Sequence, residues 1–211
     1  MATFSEKYSN TMNTITAAIT AVGSYVPDFI LTNKILETMV DTNDEWITSR
    51  TGIKEILKDD SKGTSFLAIQ AAQDLIAKSG IDPLEIDLLI MATATADMPV
   101  ASTGAYVATK IGATNAFAYD LQAACSSFLY GMSTAAAYIQ SGRYKKVLLI
   151  GADKMSSIVD YKDRSTCIIF GDGAGAVLFE PNFEGLGLQD EYLRSDGIGR
   201  DFLKIDAGGS L

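Results

Sequence analysis

The segment at residues 125–140 constrains the fold of this chain more than any other part of the sequence. It reads CSSFLYGMSTAAAYIQ and consists of small, apolar and uncharged residues. A helix at a protein surface carries a charged or polar face, so this composition predicts a helix that is buried on all sides. Such a helix needs other elements packed around it, which indicates a fold of several layers.

Strand-like and helix-like segments alternate along the rest of the chain. Apolar, β-branched runs predict strands, and amphipathic runs that end at glycine predict helices. The predicted strands are residues 15–22, 86–92, 116–120, 146–151, 167–170 and 176–180, and the predicted helices are residues 43–50, 64–78, 103–111 and 125–140. This order predicts an α/β layered fold with a mixed, mostly parallel sheet and right-handed crossovers. The glycine-rich residues 171–175 are expected to join the last two strands and to add an antiparallel piece.

The predicted helix at residues 43–50 carries two side chains that could bind a flat ligand. Thr42 lies three residues before Glu45, which is the spacing of a capping box, and Gly52 follows the last turn. Trp46 and Arg50 are four residues apart, so they are expected on the same face of this helix.

Composition excludes several classes of function. Seventeen basic and 26 acidic residues give a net charge of -9 without a basic run, so nucleic acid is not an expected partner. Apolar stretches such as residues 86–92 are much shorter than the roughly 20 residues that cross a bilayer, so no membrane span is expected. Residues 1–14 are polar and lack the apolar core of a secretory signal. We expect them to be an extension or leader outside the fold, and we expect a cytoplasmic protein.

Cys125 is the candidate nucleophile. It lies between a predicted strand and the charge-free helix, where unpaired backbone amides and the helix dipole favour a thiolate. The alternative is an ordinary small buried residue. Cys167 is expected to be buried and inert, and neither thiol is expected to form a disulfide. The chain contains no histidine, which excludes histidine-based triads and most zinc sites within it, so no metal is expected.

Three motifs, in the order and approximate spacing of the family, resemble the 3-oxoacyl-[acyl-carrier-protein] synthase III family. They are DTNDEWITSRTGI at residues 41–53, AACSSF at residues 123–128 and DRSTCIIFGDGAG at residues 163–175. The resemblance covers residues 14–211 and implies the thiolase-like layered fold (αβαβα) and a homodimer. It also implies an enzyme that takes an acyl group from acyl-coenzyme A and condenses it with malonyl-acyl carrier protein, releasing carbon dioxide, to start fatty-acid synthesis. Acyl-coenzyme A is then a substrate, and no cofactor is expected.

The resemblance assigns roles to five residues. It implies that Cys125 accepts the acyl group and that Trp46 and Arg164 stack on the two faces of the coenzyme A adenine. Thr42 and Arg50 would contact the rest of the nucleotide. An indole and a guanidinium are flat and suit the faces of a purine. The alternatives are a core or dimer-packing role for Trp46 and surface ion pairs for the two arginines.

Two further features have weaker assignments. The sequence GDGAG at residues 171–175 is not a dinucleotide-binding fingerprint, because the spacing differs and a strand-like segment follows it. The resemblance makes it a tight turn beside the active site. Met98 lies in the loop that, in the family, reaches into the acyl pocket of the dimer partner, so it could limit acyl-chain length. A residue that only packs in its loop is the alternative.

The sequence departs from the family in one respect that bears on chemistry. The resemblance implies a histidine and an asparagine, supplied by the second half of the family's enzymes, that stabilise charge during condensation. We expect residues 15–211 to form the nucleophile-bearing N-terminal half, with the C-terminal half absent. The partners are then a second copy or a companion chain, together with acyl carrier protein. Such a half could acylate itself slowly but could not condense.

Other functions fit parts of the same pattern. A non-catalytic acyl-binding or assembly partner would keep the fold, although it has no need of a thiol at Cys125. A thiolase or a hydroxymethylglutaryl-coenzyme A synthase shares the fold and the cysteine, but the motif at residues 46–53 argues against both. The sequence leaves the starter acyl group open.

Overall fold

A computed structural model of the chain describes residues 15–59 and 62–210. The predicted leader at residues 1–14 lies outside the described residues. The strands are β1 (Thr16–Tyr25), β2 (Phe29–Thr32), β3 (Glu55–Lys58), β4 (Leu88–Ala92), β5 (Phe117–Leu121), β6 (Val147–Lys154) and β7 (Asp172–Asn182). The helices are α1 (Asn33–Leu36), α2 (Asp44–Thr51), α3 (Thr64–Ser79), α4 (Thr103–Ile111) and α5 (Ser127–Gln140).

Five strands form the central sheet in the order β1-β7-β6-β4-β5. Strand β4 is parallel to both β5 and β6, whereas β7 is antiparallel to its two neighbours, β6 and β1. Four of the five strands therefore point the same way and only β7 is reversed. The predicted α/β fold with a mixed, mostly parallel sheet is confirmed.

Helices cover both faces of this sheet. Helices α3 and α4 pack on one face in a cluster that includes Leu75, Leu89 and Leu148. Helix α5 packs on the other face in a second cluster that includes Ile139 and Phe179. All five residues of β4 are buried, as expected for a strand at the centre of a layered fold. Within the described part of the chain, no helix is both long and apolar enough to cross a membrane.

A smaller cluster lies beside the main sheet. Strands β2 and β3 pair as an antiparallel hairpin. Leu36 and Ile47, from α1 and α2, pack with Leu31 and Ile56 of this hairpin, together with Cys167. This unit carries α2 and therefore positions Trp46.

Helix α5 differs from the prediction on two points. It begins at Ser127, after a short 3₁₀ turn at Ala124–Ser126, and it is not buried on all sides. Ser127, Gly131 and Ile139 are buried against the sheet, but Leu129 is 55% exposed. The uncharged helix α5 therefore has one face packed against the sheet and one apolar face open to solvent.

The predicted strand at residues 167–170 is wrong. This segment forms successive turns in which the Cys167 amide donates to the Asp163 carbonyl and the Ile169 amide donates to the Thr166 carbonyl. The predicted glycine turn at residues 171–175 is also wrong, because Gly173 and Gly175 lie inside β7. The β-branched residues of 167–170 favour a strand, but local hydrogen bonds hold this segment in turns.

Two carboxylates, one half-buried and one buried, hold the loops at one end of the sheet. The Asp120 carboxylate accepts hydrogen bonds from the amides of Thr103 and Gly104 and so caps α4. The Asp172 carboxylate, 5% exposed, accepts from the amide and hydroxyl of Ser156 and from the amide of Asp59. These contacts join loops that are distant in sequence.

We predict that Asp172→Ala lowers the free energy of unfolding by about 2–4 kcal/mol, because three donors lose a buried charged acceptor. Urea denaturation followed by circular dichroism measures the change. Asp206→Ala is the control, since Asp206 is exposed and forms a surface ion pair with Lys204; its effect should stay within about 0.5 kcal/mol. Equal stability of the two variants would contradict the role of Asp172.

Candidate active site

Cys125 lies in the 3₁₀ turn that leads from β5 into α5, and its side chain is exposed. The turn is tight, because the Ser126 amide donates to the Ala123 carbonyl and the Ala123 amide donates to the Ser127 hydroxyl. The thiol therefore lies two residues before the first residue of α5. Cys125 is therefore at the surface, close to the start of α5, and its role as the acyl-accepting nucleophile stays a prediction.

Ala124, directly before the thiol, has a left-handed backbone. Its φ is 47°, a conformation that costs a non-glycine residue about 1–2 kcal/mol. Strained residues of this kind cluster at functional sites, where surrounding contacts hold them in place. The turn at Ala124 is a signal of the site that residue patterns alone did not reveal.

The thiol borders a cavity of about 330 Å³. Helix α5 and the turn before it contribute Cys125 and Phe128, and the sheet contributes Ala92, Gly151, Gly173 and Gly175. Because most of these sheet residues are glycine or alanine, the cavity owes its volume to missing side chains. A ligand attached to the sulfur would have room here.

Asp153, at the edge of the cavity, was not identified from the sequence. One oxygen of its carboxylate accepts hydrogen bonds from the hydroxyls of Thr93 and Thr95 and from the amide of Ala94. Asp153 therefore fixes the start of the loop that follows β4. In the sequence, Asp153 is one acidic residue near the end of a largely apolar strand, and nothing in that pattern indicates this role.

The structure brings Trp46 together with both predicted arginines. The Cζ atom of Arg50 lies 4.5 Å from the centroid of the Trp46 ring, and the Cζ atom of Arg164 lies 4.3 Å from it. Arg50 follows Trp46 by one helical turn, as predicted, whereas Arg164 comes from the segment between β6 and β7. The indole is half-buried, because it also packs against the small cluster around Ile47.

A capped turn holds Arg164. The neighbouring Asp163 carboxylate accepts hydrogen bonds from the Ser165 amide and from the hydroxyls of Ser165 and Thr166. These hydrogen bonds, the one from the Ser165 hydroxyl foremost, lower the pKa of Asp163. The turn is thus fixed on both sides of Arg164, which limits where the guanidinium can reach.

Thr42 does not cap α2 as its spacing suggested. Asn43 is the N-cap, and its side chain accepts a hydrogen bond from the Trp46 amide. The Thr42 hydroxyl oxygen is buried and has no hydrogen-bond partner among the described residues. A buried hydroxyl without a partner is costly, and because this oxygen is shielded from solvent, a ligand would reach it only if the segment before α2 moved.

Two remaining expectations concern Met98 and metals. Met98 is 56% exposed and, among the described residues, it is not one of those that line the cavity at Cys125. Residues 15–59 and 62–210 contain no group of three or more His, Cys, Asp or Glu side chains that could hold a metal ion.

Solved structures define the class to which this architecture corresponds. The 3-oxoacyl-[acyl-carrier-protein] synthase III of Aquifex aeolicus VF5 superposes with a TM-score of 0.76 at 45% identity, covering 78% of this chain and 53% of that one. The beta-ketoacyl-[acyl carrier protein] synthase III of Thermus thermophilus gives a TM-score of 0.82 at 41% identity, covering 86% and 57%. The fold is the thiolase-like layered α/β fold.

Sequence comparisons agree with the structures. Residues 119–197 match the family described as 3-Oxoacyl-[acyl-carrier-protein (ACP)] synthase III. Beta-ketoacyl-[acyl-carrier-protein] synthase III 2 of Bacteroides thetaiotaomicron is 55% identical over 202 residues, which cover 95% of this chain and 60% of that protein. The synthase III of Porphyromonas gingivalis W83 is 54% identical over 201 residues, 94% of this chain and 60% of that protein. The resemblance to the 3-oxoacyl-[acyl-carrier-protein] synthase III family is confirmed, and the chain spans about 60% of the length of these curated relatives.

We predict that Cys125 reacts with iodoacetamide in the folded protein near neutral pH while Cys167 does not. Cys125 is exposed, whereas Cys167 is buried, and burial raises the pKa of the Cys167 thiol so that less thiolate forms. Peptide mass spectrometry after labelling, with and without urea, measures both sites. Equal labelling of the two cysteines in the folded protein would contradict the structure.

Proposed function

We propose that this chain accepts an acyl group from acyl-coenzyme A on Cys125, the first half of a condensing reaction that starts fatty-acid synthesis. The observation that carries the proposal is an exposed thiol at the start of α5 that borders a cavity wide enough for an attached ligand. Support also comes from the relatives, which are named as beta-ketoacyl-[acyl-carrier-protein] synthases III.

The chemistry of this step is thioester exchange. The Cys125 thiolate attacks the carbonyl carbon of the acyl thioester, and the tetrahedral intermediate collapses by breaking the bond to the coenzyme A sulfur. Coenzyme A leaves as a thiolate and takes up a proton, so the protein thiol is exchanged for the coenzyme A thiol. Backbone amides in the first turn of α5, together with the helix dipole, are suited to stabilise both the attacking thiolate and the developing oxyanion.

Trp46 and Arg164 are proposed to hold the adenine of coenzyme A. In the structure the Arg164 guanidinium lies at contact distance from the indole, 4.3 Å from the ring centroid. A purine between them would need Arg164 to move outward by about one ring thickness, roughly 3.5 Å. Arg50 and Thr42 would contact the remainder of the nucleotide, since α2 carries Arg50 and Thr42 directly precedes the N-cap of α2.

The second half-reaction, condensation with malonyl-acyl carrier protein, needs groups that this sequence does not contain. Condensation with malonyl-acyl carrier protein develops negative charge on an enolate, and histidine, which the resemblance assigns to that task, is absent from this sequence. We therefore propose that residues 15–211 by themselves acylate Cys125 and do not release a 3-oxoacyl product. The resemblance assigns those groups to a C-terminal half of the family's enzymes.

The proposed partners beyond acyl-coenzyme A are acyl carrier protein and a second copy of the chain. The loop after β4 supports a partner contact, because Val100 is 97% exposed and the neighbouring Met98 is 56% exposed. Met98 would then act in the cavity of the partner, as the resemblance implies. Cytoplasmic localisation stays a prediction.

A non-catalytic acyl-binding or assembly role is the second candidate. The open, apolar face of α5 favours it, since Leu129 on that face is 55% exposed. This role requires no covalent step at Cys125, and that difference separates the two functions.

We predict that incubation with acetyl-coenzyme A adds one acetyl group to the wild-type chain and none to Cys125→Ala. Mass spectrometry of the intact protein measures the adduct, and Cys167→Ala is the matched control that should acetylate like the wild type. No adduct on the wild type would favour the non-catalytic role. Formation of 3-oxoacyl product from added malonyl-acyl carrier protein would contradict the proposed incompleteness.

We predict that coenzyme A changes the fluorescence of Trp46, the single tryptophan of the sequence, because adenine would stack on its indole. Arg164→Ala should weaken binding by about 3- to 30-fold, the range expected from losing one stacked cation. Arg164→Lys keeps the charge but not the planar group and should recover only part of the affinity. Pantetheine, which lacks adenine, is the control ligand, and an equal response to pantetheine would contradict adenine stacking.

A further inference from the structure

The glycines that line the cavity at Cys125 are not equivalent. A Cβ atom at Gly151 would lie 2.9 Å from the Phe128 ring, and one at Gly171 would lie 2.9 Å from Ile56. These two positions need glycine because neighbouring side chains already fill the space. Packing therefore explains their identity without reference to a ligand.

Gly175 has no such explanation. A Cβ atom there would meet no described atom within 4 Å, and its φ lies outside the left-handed range that favours glycine. It lies inside β7, paired with Gly151 of β6 and Ser24 of β1. A glycine inside a strand weakens the strand, and one with neither a backbone nor a packing reason marks a place where another molecule can approach.

The space beside Gly175 is the cavity of the thiol. Side chains alternate along β7, so position 175 faces the same side of the sheet as Val177 and Phe179. Those two residues pack in the cluster under α5, which also includes Phe128. Gly175 and Cys125 line the same cavity, and the Phe128 ring occupies its neighbouring part above Gly151.

We infer that Gly175 determines the size of the acyl group that Cys125 can carry. This inference rests on the proposed acyl transfer. The acyl chain extends from the sulfur over the side-chain-free surface at Gly175, so a side chain at that position shortens the space available to it. Met98, which is not among the described residues lining this cavity, plays no part in this limit within one chain.

The test compares Gly175→Ala and Gly175→Val with the wild type in the full chain. Methyl, butyl and octyl methanethiosulfonates transfer an S-alkyl group to the Cys125 thiolate and release methanesulfinate, so they report space at the sulfur without any acyltransferase activity. Rates are measured by mass spectrometry on chains in which Cys167 is replaced by alanine. Gly197→Val is the matched control, because a Cβ at this exposed position also meets no atom within 4 Å but lies outside the cavity.

We expect Gly175→Val to lower the ratio of octyl to methyl rates about tenfold or more, the effect of crowding an apolar pocket by a methylene or more. Gly175→Ala should lower the same ratio by less, and Gly197→Val should leave it unchanged. The alanine variant decides the question if the valine variant does not fold. Unchanged ratios in the folded Gly175 variants would overturn the inference.

Acyl-coenzyme A of increasing chain length separates this inference from the proposed function. If the wild type acylates and Gly175→Val shifts the preference to shorter chains, both are supported. If the wild type acylates and the Gly175 variants keep its chain-length profile, the inference fails while the proposed function holds. If the wild type forms no acyl adduct while the ratio of octyl to methyl rates still falls, the proposed function fails and Gly175 limits only the space at the thiol, which overturns its role in acyl selection.

Discussion

The backbone turn at Ala124 is the constraint on which the candidate site depends. A left-handed residue between β5 and α5 reverses the chain sharply enough to leave Cys125 exposed at the start of the helix. Packing of α5 against the sheet, where Ser127 and Ile139 are buried, offsets the free-energy cost of the Ala124 conformation. The layered fold therefore holds the Ala124 backbone in a strained conformation that keeps the Cys125 thiol accessible.

Two separate units contribute to the site. The main sheet and α5 form the cavity around Cys125, whereas α2 carries Trp46, which Arg164 contacts from the segment between β6 and β7. Gly171 belongs to the cavity lining and packs against Ile56 of the hairpin, so it joins the two units.

Local sequence patterns correctly predicted features that depend on neighbouring residues, such as the ends of helices. Gly52 and Gly112 end α2 and α4 with positive φ, as their spacing after amphipathic runs indicated. The position of Cys125 followed from the change from strand to helix. Contact between Trp46 and Arg164 joins residues far apart in sequence, and only the family resemblance indicated it.

The errors have physical causes that a single sequence does not display. Residues 167–170 carry β-branched side chains, but the hydrogen bonds around Asp163 hold that segment in turns. The absence of charge in α5 predicts complete burial, but Leu129 lies on an exposed face of the helix. The open space beside Gly175 depends on β6, β7 and α5 together, so no local pattern could identify it.

Isotope exchange tests the central claim most directly. The chain is incubated with unlabelled acetyl-coenzyme A and labelled free coenzyme A, and label is followed into acetyl-coenzyme A. Exchange that depends on the protein, above the rate without protein, indicates a covalent acyl intermediate that forms and reverses on the protein. The account predicts exchange with the wild-type chain and none with Cys125→Ser; absence of exchange in the wild type, or its persistence in the serine variant, would contradict it.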